Sequence, residues 1–159
     1  MRVRNSFVFF VIVLVFISCD EKRVFDDYYS VGNAWHKDST VIFQLPVLDS
    51  TKRYDLFVNL RSNNNYPFNN IFLIVALELP NGFTKVDTLE YQMANPDGTL
   101  LGEGFTDIKE SKLFYKENVR FRGKYKVYIK QAVRETGKVP GINQLDGITE
   151  VGFRIEKKE

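Results

Sequence analysis

From Thr40 onward, apolar residues recur at every second position and scarcely anywhere at the three-to-four spacing of a helix. That periodicity is the strongest constraint in the chain. Side chains alternate between faces along a strand, so such a sequence buries one face by building sheets. Val41–Leu45 is a short apolar strand stopped by Pro46. In Tyr54–Arg61, Tyr54, Leu56, Val58 and Leu60 share one face and Asp55, Asn59 and Arg61 take the other. Ile71–Leu79 is apolar at nearly every position, the pattern of a strand buried on both faces or lying centrally in a sheet. Pro80-Asn81-Gly82 then turns the chain into Thr84–Tyr91. After a second turn at Asn95-Pro96-Asp97-Gly98, Asp107–Lys112 reads as a loop or one helical turn, and Leu113–Phe121 as a strand. Arg122-Gly123 leads into Lys124–Arg134, whose Lys124, Lys126, Tyr128 and Lys130 make a solvated face or a guarded edge. Thr136–Gly147 is a Gly- and Pro-bearing loop. Thr149–Lys157 closes the chain with Val151, Phe153 and Ile155 inward.

Seven to eight short strands with regularly spaced turns predict an all-β fold, an antiparallel β-sandwich. Alternation does not distinguish a jelly-roll order from an immunoglobulin-like one. Cys19 is the only cysteine, so no disulfide can form within the chain and stability rests on packing. Fourteen Phe, eight Tyr and one Trp supply the bulk for it.

The N-terminus is of another kind. Arg2 and Arg4 precede an unbroken apolar run, Phe7–Ile17, followed by Ser18 and Cys19. A basic start, a short apolar stretch and a small residue make a secretory signal peptide. A spanning helix needs about 20 apolar residues, so this run is too short to cross a bilayer by itself. A cysteine after a small residue resembles the lipobox of bacterial lipoproteins, although Phe16 stands where leucine is frequent. That resemblance implies cleavage between Ser18 and Cys19 and acylation of Cys19. The expected organisation is a signal peptide at 1–18, a lipidated Cys19 with a tether to residue 30, and a sandwich domain at 31–159. Loss of Arg2 and Arg4 takes the formal charge from +2 to zero, so no strong global field remains to attract nucleic acid or an anionic membrane surface. Asp20–Glu21 is similar to the surface-export signal of some Bacteroidota lipoproteins, and equally to a plain solvated linker.

The chain lacks the parts of a catalytic site. His36 is the only histidine, and no G-x-S-x-G stretch presents a nucleophile. One Cys and one His make no zinc set. Adjacent acids such as Asp26 and Asp27 would point to opposite faces of a strand. No enzyme, metal or cofactor is expected. One stretch has binding chemistry: Arg61–Asn70 joins Asn64 and Asn65 to Tyr66 and Phe68, amides for hydrogen bonding and rings for stacking. It could form a carbohydrate- or peptide-binding loop, but an ordinary long turn in which Tyr66 and Phe68 cap the core is the favoured reading. Asp38-Ser39-Thr40 and Asp49-Ser50-Thr51 resemble the O-glycosylation motif of Bacteroidota envelope proteins, with Ser39 and Ser50 as acceptors.

A series of words runs through the chain in fixed order: Phe25, Trp35, Asn59-Leu60-Arg61, Tyr66-Pro67-Phe68, Asp87-Thr88-Leu89-Glu90, Val119-Arg120-Phe121, Gln131-Ala132 with Arg134, Pro140-Gly141 and Val151–Lys157. Behind a lipoprotein signal, this resembles the gliding-motility lipoprotein GldH family of Bacteroidota. The resemblance implies a non-enzymatic, lipid-anchored envelope protein, held most naturally in the outer membrane. It implies an accessory or scaffold role in gliding, with partners among gliding and type IX secretion envelope proteins. It carries over no catalytic residue. Asn59, Arg61, Arg120 and Arg134 read equally well as satisfied sheet contacts.

Overall fold

The computed structural model describes residues 20–159, and no helix occurs among them. The strands are β1 (Arg23–Ser30), β2 (Ala34–His36), β3 (Val41–Gln44), β4 (Tyr54–Ser62), β5 (Asn70–Glu78), β6 (Thr84–Gln92), β7 (Lys109–Val119), β8 (Lys126–Gln131), β9 (Gln144–Asp146) and β10 (Ile148–Lys157). One sheet has the order β1-β10-β4-β7 and the other β3-β8-β5-β6, while β2 and β9 pair as a separate ribbon. Every pairing is antiparallel. The chain is thus the predicted sandwich. Its eight sheet strands, divided four and four between the layers, follow the double Greek-key order of a jelly roll, with β5 and β6 a hairpin within one layer.

Alternation sends the large residues between the layers. Leu56, Val58 and Leu60 of β4 and Val151, Phe153 and Ile155 of β10 face Leu73 and Val75 of β5 and Val127 and Ile129 of β8, all buried. Phe153 sits at the centre, with the rings of Phe43 and Tyr115 at 6.2 and 6.4 Å between centroids. Full burial of one such side chain contributes about 1.5–3 kcal/mol, which lets a domain without a disulfide hold together. Trp35 of β2 is fully buried at one end of the core, its indole N–H donating to the Ser39 carbonyl at 2.9 Å.

Several expectations change. Residues 19–30 are not a tether throughout. Arg23–Ser30 is an edge strand paired with β10 from Arg23↔Glu156 to Ser30↔Glu150, so the folded domain begins at or before Arg23, not at residue 31. Only one side of β1 is paired and it sits between solvent and sheet, so its sequence shows no clean alternation. Lys109–Lys112 belongs to β7 and is neither loop nor helical turn. Within Thr136–Gly147, Gln144–Asp146 forms β9. β5 is central in its sheet, and Phe72, Ile74 and Ala76 on its outer face are only half-buried. β8 lies between β3 and β5, so its lysines form a solvated face and guard no edge.

Candidate functional site

Cys19 and the leader at 1–18 lie outside the described residues. In the loop between β4 and β5, Tyr66 is 6% exposed, donates its hydroxyl to the Asn70 carbonyl at 2.6 Å and meets the Phe68 ring edge-on at 6.0 Å. The backbone amide of Asn65 donates to the Asn63 side chain at 3.0 Å, closing a local turn. The two rings therefore close one end of the core, while Asn64 and Asn65 stand in solvent. Of the two rings in the possible binding loop, Tyr66 is buried and Phe68 is half-buried against the core. Ser39 and Ser50 are exposed. His36 accepts the Asp38 amide at Nδ1, 3.2 Å away, and contacts no buried acid. No metal-binding group of three or more His, Cys, Asp or Glu side chains occurs among the described residues.

The most developed polar arrangement is elsewhere, on the outer face of the β1-β10-β4-β7 sheet. The register brings Arg61 of β4 between Glu110 of β7 and Glu150 of β10. Its guanidinium donates Nε to Glu110 at 2.9 Å and Nη1 to Glu150 at 2.6 Å, and lies 4.2 Å from the centroid of the Tyr28 ring. Tyr28 donates its hydroxyl to Glu110 at 2.8 Å and accepts from the Asn59 amide at 2.9 Å. Burial raises the Tyr28 phenol well above its ordinary value, and the neighbouring Glu110 carboxylate adds to this. Toward the other end of the same face, Arg154 donates Nη1 to Asp26 at 3.1 Å and Nε to Glu156 at 2.6 Å, and also pairs with Asp20. Burial pushes the Glu156 carboxyl up, but Lys112 and Arg154 more than offset this and hold it below the usual range. Asn59 is 1% exposed, and its Oδ1 accepts no bond from any described residue. Asn59 and Arg61 thus belong to one network. Arg120 stands exposed in the loop after β7, and Arg134 lies beyond β8. Beside the network, the 102–105 segment overhangs a cleft of about 760 Å³ that reaches Glu110, Lys112 and Arg154. An apolar groove of about 430 Å³ lies on the opposite sheet, floored by Phe72, Ile74 and Ala132 with Arg134 at its side.

Chemically, the carboxylates in this network accept from guanidinium, ammonium and phenol groups, so they serve as fixed anions. The arrangement suits a rigid, charged binding face. Sequence reasoning names Asn59 and Arg61 but not Tyr28, Glu110 or Glu150, whose partners are set by strand register across sequence separations of up to 89.

Gly152 makes this face possible. It sits opposite Tyr28 and Asn59 in the register, and a Cβ there would lie 2.8 Å from the Tyr28 ring and 3.1 Å from Asn59 Cβ. Within a strand, Gly→Ala ordinarily stabilises by about 0.5–1 kcal/mol. Here the sign is expected to reverse: Gly152→Ala lifts the Tyr28 ring and destabilises by about 2 kcal/mol. Tyr28→Phe keeps the ring seated, loses only its hydrogen bonds, and costs about 1 kcal/mol. Urea midpoints of the two variants check this; a stabilised Gly152→Ala would refute the tight seat.

Comparison with known proteins places these features in a family. The family model described as GldH lipoprotein matches residues 23–155. The chain is 73% identical over 159 residues to the gliding motility lipoprotein GldH of Flavobacterium johnsoniae, covering all of both chains. It is 56% identical over 157 residues to a gliding motility lipoprotein GldH homolog of Christiangramia forsetii, covering 98% of this chain and 96% of that one. Among solved structures, it is similar to part of a family GH115 4-O-methyl-α-glucuronidase at 12% identity and a TM-score of 0.46, covering 89% of this chain and 18% of the enzyme. Similarity at that level carries no functional meaning.

Proposed function

Because the chain belongs to the GldH lipoprotein family, we propose that it is a non-enzymatic, lipid-anchored scaffold of the gliding machinery, working with envelope proteins linked to type IX secretion. Full-length 73% identity to a gliding motility lipoprotein is the observation that carries this reading. Its mature form begins at Cys19, acylated and held in the outer membrane. The mechanism is binding. Confinement to the membrane raises the effective concentration of the domain for its neighbours, and a rigid charged sheet face gives those neighbours a fixed surface. The Arg61 network supports this role, since interlocked charges hold their positions without reorganising on contact.

Deletion of the gene is expected to abolish colony spreading and halt the movement of surface adhesins, with both restored by the wild-type chain. Normal spreading and adhesin movement in the deletion strain would refute the proposal.

A further inference from the structure

Asp20, the residue after Cys19, does not hang free. Its carbonyl accepts the Arg23 amide at 3.2 Å, and its carboxylate pairs with Arg154. The Lys157 amide donates to the Lys22 carbonyl at 2.7 Å, and Lys22 pairs with Glu159 at 2.8 Å. Cys19 lies one peptide further, about 3.8 Å in Cα spacing. The described chain thus starts beside one end of the sandwich, where Asp20 and Lys22 are fastened.

That end is continuous and chemically distinct. The Lys158 amide donates to the Arg53 carbonyl at 2.9 Å, and Arg53 Nη1 donates to the Asn118 carbonyl at 3.2 Å. Asn118 lies at the end of β7, before the 120–125 loop, where buried Phe121 meets Tyr125 edge-on at 4.8 Å and pins the loop in place. A Cβ on Gly123 would lie 3.0 Å from the Pro80 ring, so this loop abuts the β5–β6 hairpin and its Phe83, 61% exposed. Val47, 64% exposed, projects from the neighbouring β3–β4 loop. Most acids here are neutralised: Glu159, Glu117, Asp49 and Glu78 each have a lysine within 4 Å and Asp20 pairs with Arg154, while Glu21 and Asp55 have no cation partner among the described residues. Exposed Arg120, Arg122, Lys124 and Lys157 have no carboxylate partner among the described residues. Uncompensated cations interleaved with two protruding apolar side chains match an anionic bilayer surface, which attracts the charges and admits the apolar tips.

We propose that this end of the sandwich, with Phe83, Val47, Arg120, Arg122, Lys124 and Lys157, docks on anionic phospholipid and fixes the orientation of the domain on its membrane. The docked domain turns its long axis away from the lipid and presents the Arg61 face sideways and the 132–147 loops outward. The inference rests on the acylation of Cys19 proposed above.

The test uses the full-length chain, extracted with its native acylation and reconstituted in vesicles of phosphatidylcholine with or without phosphatidylglycerol. Thr84→Cys at the docking end and Val139→Cys at the opposite end, where Val139 is 82% exposed, each carry a fluorophore, and brominated lipids act as quencher. Quenching is expected at position 84 and not at 139, only in phosphatidylglycerol vesicles, and weaker as salt is raised. At about fivefold per charge, loss of the three cations in the combined variant Arg120→Glu, Arg122→Glu, Lys124→Glu lowers the docked-to-undocked ratio by at least about a hundredfold, and the three carboxylates gained lower it further, while vesicle flotation stays intact. Equal quenching at both ends, indifference to phosphatidylglycerol or an unaffected triple variant would overturn docking and leave the anchor standing. Failure to float, together with fluorophore uptake at Cys19 in the wild type, would overturn the anchor itself and docking with it.

Discussion

Gly147→Ala is expected to cost about 4 kcal/mol of folding stability, the largest loss from any single methyl group in this domain. Gly147 joins β9 to β10 at φ +81°, a conformation that L residues enter only with strain of about 1–3 kcal/mol. Space is the second obstacle. A Cβ there would lie 2.2 Å from the Tyr66 nitrogen, 2.5 Å from its Cα and 2.8 Å from the Asn65 carbonyl carbon, all backbone atoms that no rotamer change can move. Overpacking of that kind adds about 1–3 kcal/mol. The same residue ties three segments together: its carbonyl accepts the Asn63 amide at 2.8 Å and its amide donates to the Asn33 carbonyl at 3.2 Å. Gly32 supplies the control. It has φ +82° and open space for 4 Å around the point a Cβ would occupy, so Gly32→Ala incurs the conformational strain alone, about 1 kcal/mol. Denaturant midpoints of the two variants at unchanged slope measure the difference. If Gly147→Ala cost no more than Gly32→Ala, the packing of the Tyr66 loop on this turn would be wrong.

That pair of glycines also marks where the sequence is readable. β4 and β10 alternate cleanly because they lie inside a sheet with one face on the core, so Leu56, Val58, Leu60 and Val151, Phe153, Ile155 announce their sides without any structure. β1 does not, because an edge strand is half-solvated and its Asp26 and Tyr28 answer to partners on β10, β4 and β7. β2 and β9 have three residues each, too few to display a period. Jelly-roll order depends on pairings between distant segments, such as β1 with β10, which local pattern does not encode. The Tyr66 loop, open in sequence to a binding or a core-capping reading, takes the core-capping form. RSNNNYPFNN has the right composition for a surface site, but Gly147 and the Asn70 carbonyl draw Tyr66 inward. The Arg61 network is the converse case. Tyr28, Glu110 and Glu150 look ordinary in sequence and become a site only through register.

Cys19→Ala is expected to have the largest functional effect of any substitution in the chain. Under the proposed acylation, each acyl chain brings about 0.8 kcal/mol per buried methylene, so one chain of about 14 methylenes represents about 11 kcal/mol of gross transfer free energy, and stable anchoring takes two signals. The basic end of the sandwich cannot replace that. Each cation near an anionic surface contributes about 1 kcal/mol, so Arg120, Arg122, Lys124 and Lys157 together supply about 4 kcal/mol, screened further by salt. Docking therefore orients the domain while the anchor holds it. Cys19→Ala should lose palmitate label, leave the membrane pellet at moderate salt and fail to restore spreading to a deletion strain, although the domain from residue 20 onward contains no cysteine and folds unchanged. The triple variant Arg120→Glu, Arg122→Glu, Lys124→Glu should keep its label and its place in the pellet. Fractionation, palmitate labelling and colony spreading of the two variants side by side separate the roles. A Cys19→Ala chain that stays with the membrane and supports spreading would show that the apolar run at Phe7–Ile17, and not an acyl group, holds the protein in place.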